Sequence, residues 1–143
     1  MRAEYWAILT AICWATGALF EKQGVKLGEL SPVMGTTIRT TASFLFLLII
    51  SYPFWHQVKT AGTTSLSMVA IGGGIVAGGL GILFLYTGLK TGQLSTVLTV
   101  AFCLTPVFGA VLGALVLKEA LSAIQLVGID LCISGATLVS YFR

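Results

Sequence analysis

The stretch Thr36–Ile50 reads TTIRTTASFLFLLII, an apolar run with an arginine inside it. Arg39 brings a permanent positive charge into it. What the stretch becomes depends on the solvent around it, and composition supplies that solvent. Hydrophobic residues make up 57% of the chain and charged residues 9%. Average water-soluble domains carry about 25% charged residues. So few charges cannot cover the surface of a soluble domain of 143 residues.

Apolar runs long enough to cross a bilayer recur along the chain. Five are expected, from about Tyr5 to Val25, Pro32 to Phe54, Leu66 to Leu89, Leu94 to Leu117 and Leu121 to Phe142. They are long and do not alternate, which favours helices over a barrel. The first is unlike a signal peptide, because Glu21 and Lys22 stand where a small-residue cleavage site would lie. The predicted fold is therefore all-α and membrane-embedded, one domain over residues 1–143 with no soluble part. Cys13, Cys103 and Cys132 fall inside spans and read as small packing residues without disulfides. No Cys/His grouping points to a metal, and no cofactor is expected. His56, the sole histidine, reads as an interfacial loop residue beside Trp55.

Loops follow turn chemistry. Ser31 and Pro32 form an N-cap and a preset first helical residue for the second span. Ser122 and Gln125 form a capping box for the fifth. Glu119 is expected to enter the first turn of that helix, where the dipole favours a carboxylate. Gly72–Gly81, GGGIVAGGLG, lies in the third span. Gly74 with Gly78, and Gly109 with Gly113, have the GxxxG spacing that lets helices approach closely. The glycine-rich run serves either tight packing or a segment bordering a substrate path.

Lysine and arginine outside the spans divide nearly evenly, three against four. Arg2, Lys59 and Lys118 lie on one side; Lys22, Lys26, Lys90 and Arg143 lie on the other. Orientation normally follows a bias in these charges. Its absence fits a chain that inserts both ways and pairs with an inverted copy of itself, or one oriented by a partner.

Arg39 lies seven residues into its span, about 10–12 Å deep. A lipid-facing arginine there would cost a few kcal/mol on insertion scales. Thr36, Arg39, Thr40 and Ser43 share one helical stripe, so Arg39 is expected to face the protein interior or a water-filled cleft. Asp130, about 13 Å into the fifth span, continues in a stripe with Ser134, Thr137 and Tyr141. Depth permits Arg39 to meet Asp130, and Glu21 competes as its partner. Trp14 on the first span offers a wall or a cation–π face. Arg39, Asp130, Glu21 and Trp14 are the candidate substrate or coupling groups. A permanent ion pair fastening helices is the structural alternative. No nucleophile–base–orienter set can be assembled, so an enzyme is not expected. A net charge of +3 spread over both faces gives no nucleic-acid patch.

Three stretches carry a family resemblance. They are Cys13–Arg39 with Trp14, Gly17, Lys22, Pro32 and Arg39; LYTGLKTGQLSTVLTV between the third and fourth spans; and Leu104–Val139 with Pro106, Glu119, Leu121, Gly128 and Gly135. Together they resemble the EamA-type domain of the drug/metabolite transporter superfamily over essentially the whole chain. Most members carry two inverted five-span domains. The resemblance implies that this chain is half of a ten-helix inverted-repeat transporter, with two copies forming an antiparallel homodimer around a central polar cavity. It also implies export of small metabolites or drugs, possible proton coupling, and residence in a prokaryotic inner (plasma) membrane. A half-transporter needing a different five-span partner, or a non-transporting accessory subunit, are the alternatives. A weaker similarity links Gly128 and Gly135 to the last span of small multidrug resistance proteins, whose first-span glutamate would fall at Trp14. Asp130 is not part of the EamA pattern.

Overall fold

Ser31 starts the second long helix as expected. Its backbone is extended, and its Oγ accepts the Met34 N–H at 3.2 Å. Pro32 follows as the first helical residue. The structure is a computed structural model that describes residues 3–142. It places helix α1 at Ala3–Leu27, α2 at Pro32–Ser51, α3 at His56–Thr60, α4 at Thr63–Met68, α5 at Ile82–Thr91, α6 at Leu94–Leu112 and α7 at Ala123–Tyr141. A 3-10 turn at Tyr52–Phe54 extends α2, and no strand occurs among the described residues. Wider π-helical winding fills Val69–Gly81 between α4 and α5, and Gly113–Leu117 after α6.

Among the described residues, four segments are long and apolar enough to cross a bilayer: Pro32–Phe54, Thr63–Thr91, Leu94–Leu117 and Ala123–Tyr141. They leave large apolar side chains such as Phe46, Ile49, Leu115 and Leu131 exposed, where lipid can take the place of a core. This is an all-α integral membrane protein. The first expected span, α1, is a helix of 25 residues but does not match the other four in apolar character. Glu21, Lys22 and Lys26 crowd its second half.

The chain divides into two compact units, Met1–Thr91 and Gly92–Arg143. In the first, α5 packs against both α2 and α1. Ile82, Tyr86 and Leu89 repeat at i, i+4, i+7 along α5 and are its buried face. Tyr86 meets Val25 of α1 in the small core and lies over Gly35 of α2. Between lipid-covered helices there is no hydrophobic driving force, so contact quality decides association. Gly35 supplies it: a Cβ there would stand 2.6 Å from Tyr86 Cε1. Most of the glycine run of the third span is exposed, with Gly78 and Gly79 half-buried. A Cβ at Gly74 would meet nothing within 4 Å, whereas one at Gly78 would stand 2.9 Å from the Gly73 carbonyl oxygen. Gly78 therefore accommodates the wide winding of its own helix.

In the second unit, α6 and α7 form an antiparallel hairpin. The capping box is present: Ser122 Oγ accepts the Gln125 N–H at 3.3 Å, and Gln125 Oε1 accepts the Ser122 N–H at 2.8 Å. Two expectations are corrected here. Glu119 does not enter the first turn of α7, which begins after Ser122. Lys118 adopts a left-handed backbone (φ 56°) and ends the π-helical turn. Glu119 then folds back, its N–H donating to the Gly113 carbonyl at 3.1 Å, and its carboxylate covers buried Gly113. Nor are Cys103 and Cys132 separate packing residues: they form a disulfide between α6 and α7, with Cα atoms 5.3 Å apart. Hydropathy located both in spans but carried no information on which helix faces meet. Cys13 is free and exposed.

Candidate functional site

Glu21 and Arg39 come to the same depth because a short turn joins α1 to α2. Glu21 lies six residues before the end of α1 and Arg39 seven after the start of α2, so each is about 9–11 Å from that end. Arg39 Nε donates to Glu21 Oε1 at 2.7 Å. The carboxylate is the better protected partner, with side-chain exposures of 18% for Glu21 and 30% for Arg39. Trp14 stands two turns before Glu21 on α1, and the Arg39 guanidinium carbon lies 5.9 Å from its ring centroid. That is at the outer edge of cation–π range. The arginine is thus held between an anion and an aromatic face instead of in hydrocarbon.

A guanidinium carries five N–H donors in a planar fork. Glu21 takes the Nε hydrogen through one oxygen, which is not the two-toothed pairing that would saturate the fork. The terminal nitrogens remain for another acceptor. Around the pair runs an open groove of ≈ 450 Å³ within the first unit, lined by Phe20, Gly24, Ile38, Ala42, Ser43 and Tyr86 beside the two charges. Tyr86 completes the set: its ring is buried against Gly35 and lines the same groove as Glu21. The polar stripe expected on α2 is only partly protected. Gly35 is buried and Thr36 and Arg39 are half-buried, while Thr40 and Ser43 are exposed. Thr36 turns its hydroxyl back to the Pro32 carbonyl at 2.9 Å.

Three of the four candidate groups, Arg39, Glu21 and Trp14, therefore meet in one unit. Asp130 belongs to the other. It is exposed on α7, away from the face formed by Cys132 and Ala136 that meets α6. Among the described residues it has no ion pair. Its stripe is outward too: Ser134 and Tyr141 are exposed, and Thr137 bonds the Ile133 carbonyl at 2.9 Å. A Cβ at Gly109, Gly128 or Gly135 would meet nothing within 4 Å, so these glycines are not close-contact points within the chain. Arg2 and Arg143, used in the charge count, lie outside the described residues. Sequence reasoning missed Gly35 and Tyr86. Gly35 is four residues before Arg39 and so shares its face, and that spacing is the signal that would have found it. No His/Cys/Asp/Glu cluster able to hold a metal occurs among the described residues.

An intramembrane arginine–glutamate pair opening on a groove, in a chain whose long helices are clothed in exposed apolar side chains, defines an α-helical membrane protein with a polar site at membrane depth. The model of the EamA-like transporter family matches residues 1–141. The chain belongs to that family of membrane transporters. No curated protein and no solved structure matches it significantly.

Proposed function

We propose that the chain is a secondary transporter of small metabolites or drugs, exporting them through a polar cavity formed by two antiparallel copies. The observation that carries the reading is the incompletely saturated Arg39, held by Glu21 and open to the groove. An arginine with terminal N–H groups to spare binds a carboxylate, a phosphate or a carbonyl oxygen of a solute. Glu21 then serves as counter-charge for Arg39 when the solute leaves, which keeps the half-buried arginine from standing unpaired. Tyr86 walls the groove beside Glu21 from α5.

Two features support a second copy. Asp130 is exposed at a depth where an ionised side chain facing lipid costs a few kcal/mol. Gly128 and Gly135 offer a bare strip on the same helix. Facing a polar chamber shared with an inverted partner would relieve the first; the glycine strip, about 140–160° away around α7, would take a separate helix contact. The nearly even loop charge count agrees with dual insertion. In this assembly Asp130 is the proton-coupling candidate and Arg39 the solute-binding one.

The test is counterflow in liposomes holding only this chain, against a panel of amino acids, nucleosides, organic anions and lipophilic cations. Exchange of at least one class that is lost in Arg39→Ala supports the proposal. No exchange of any class by well-folded protein, restored on adding a different five-span partner, assigns a half-transporter instead. One-sided labelling of a cysteine introduced near the C-terminus, in intact vesicles, rejects dual topology.

A further inference from the structure

Three lysines converge at the end of the first unit where α1 and α5 finish and α2 begins. Lys22 and Lys26 stand one turn apart on α1, and Lys90 lies in the last turn of α5. They line a pocket of ≈ 280 Å³ whose floor is apolar, formed by buried Val25 and Leu89. Lys90 Nζ donates to the Leu30 carbonyl at 3.2 Å, which ties the end of α5 to the α1–α2 turn and fixes the pocket's shape. Glu29, in a left-handed backbone conformation (φ 49°) in that turn, is the acidic residue on the rim. Three ammonium groups against one carboxylate leave the pocket net positive. A lysine in the last turn of a helix complements the helix dipole. That role is open to Lys26 and Lys90 singly, and it does not bring Lys22 into the same cavity.

The pocket also has a defined height. Lys26 and Lys90 lie in the last turns of their helices, whose ends mark the membrane surface, and Lys22 lies one turn deeper, level with Glu21. A basic cavity with an apolar floor at that level is bordered by phospholipid headgroups on one side and by acyl chains below. We infer that this pocket binds the phosphate of an anionic glycerophospholipid, with Lys22, Lys26 and Lys90 around the phosphate oxygens and Val25 and Leu89 under the start of the acyl chains. Ammonium groups suit a phosphodiester because they act as mobile point charges and need no planar geometry. Basic residues beside spans contribute about 1 kcal/mol each toward anionic lipid, or about fivefold in affinity. The inference does not depend on transport.

The experiment titrates the full chain in neutral detergent with phosphatidylglycerol, phosphatidylcholine or inorganic phosphate, reading thermal unfolding and retained lipid by native mass spectrometry. Phosphatidylglycerol is expected to raise the melting temperature saturably and to stay bound. Lys26→Gln and Lys90→Gln are each expected to weaken it about fivefold, Lys26→Arg to preserve it, and Glu29→Gln to leave it equal or tighter. Lys26 is exposed, so its variants keep the fold and decide the matter if Lys90→Gln unfolds. Equal shifts from phosphatidylcholine, unchanged affinity in Lys26→Gln, or a matching shift from inorganic phosphate would each overturn the lipid site; the last would assign a free anion.

Discussion

Gly35 is the residue on which the first unit turns, because no other side chain fits between α2 and the ring of Tyr86. Gly35→Ala is expected to lower stability by about 1–3 kcal/mol, the usual cost of overpacking; a fall in melting temperature in detergent checks it. Tyr86→Ala paired with Gly35→Ala removes the clash and should recover part of the loss. At Arg39 the expectations are different in kind. Glu21→Gln removes the counter-charge but keeps a hydrogen-bonding side chain, so the protein should fold while the resting arginine seeks other anions. Solute exchange should then slow by at least about tenfold, as expected for loss of a charge partner worth about 1.5–3 kcal/mol. Unchanged exchange in both Glu21→Gln and Arg39→Ala would reduce the pair to a helix fastener.

At the scale of elements, the α6–α7 hairpin is closed by a covalent link as well as by packing. Maleimide labelling of the denatured chain should find one thiol, Cys13, before reduction and three after it. Three before reduction would remove the Cys103–Cys132 bond from the account. The third span shows how far sequence legibility extends. Its existence and its glycine run are plain from the residues Gly72–Gly81. Its winding is not, because propensity and hydropathy are the same for i→i+4 and i→i+5 bonding. The end caps were readable because Ser31, Pro32, Ser122 and Gln125 act on backbone groups within three residues of themselves. The disulfide, the Gly35–Tyr86 contact and the position of Glu119 were not, since each depends on which faces meet after folding. The Glu21–Arg39 pair was legible as one of two options: depth alone allowed it, and the short α1–α2 turn selected it.

For the whole molecule, the bare glycines of α7 separate protomer stability from assembly. Gly128→Leu and Gly135→Leu place new side chains in open space within the chain. Each should leave secondary structure and unfolding temperature nearly unchanged. If two copies meet along that strip, the same variants should shift the protein from dimer to monomer in light scattering. A monomer before and after substitution would leave the strip to lipid and remove its support for a second copy.

The third span holds 29 residues, which as a regular α-helix would reach about 43 Å, against a hydrocarbon layer about 30 Å thick. Wider coiling through Val69–Gly81 advances less per residue and so takes up part of that surplus length without a kink. The run behaves as slack stored in a rod. In a thicker bilayer it is expected to rewind toward α and lengthen, and each turn gained would rotate the residues before it relative to the anchored ring of Tyr86. Deuterium exchange through Val69–Gly81 should therefore fall as acyl chains are lengthened, while Gly78→Leu, which crowds the Gly73 carbonyl of the wide coil, should remove that dependence on thickness.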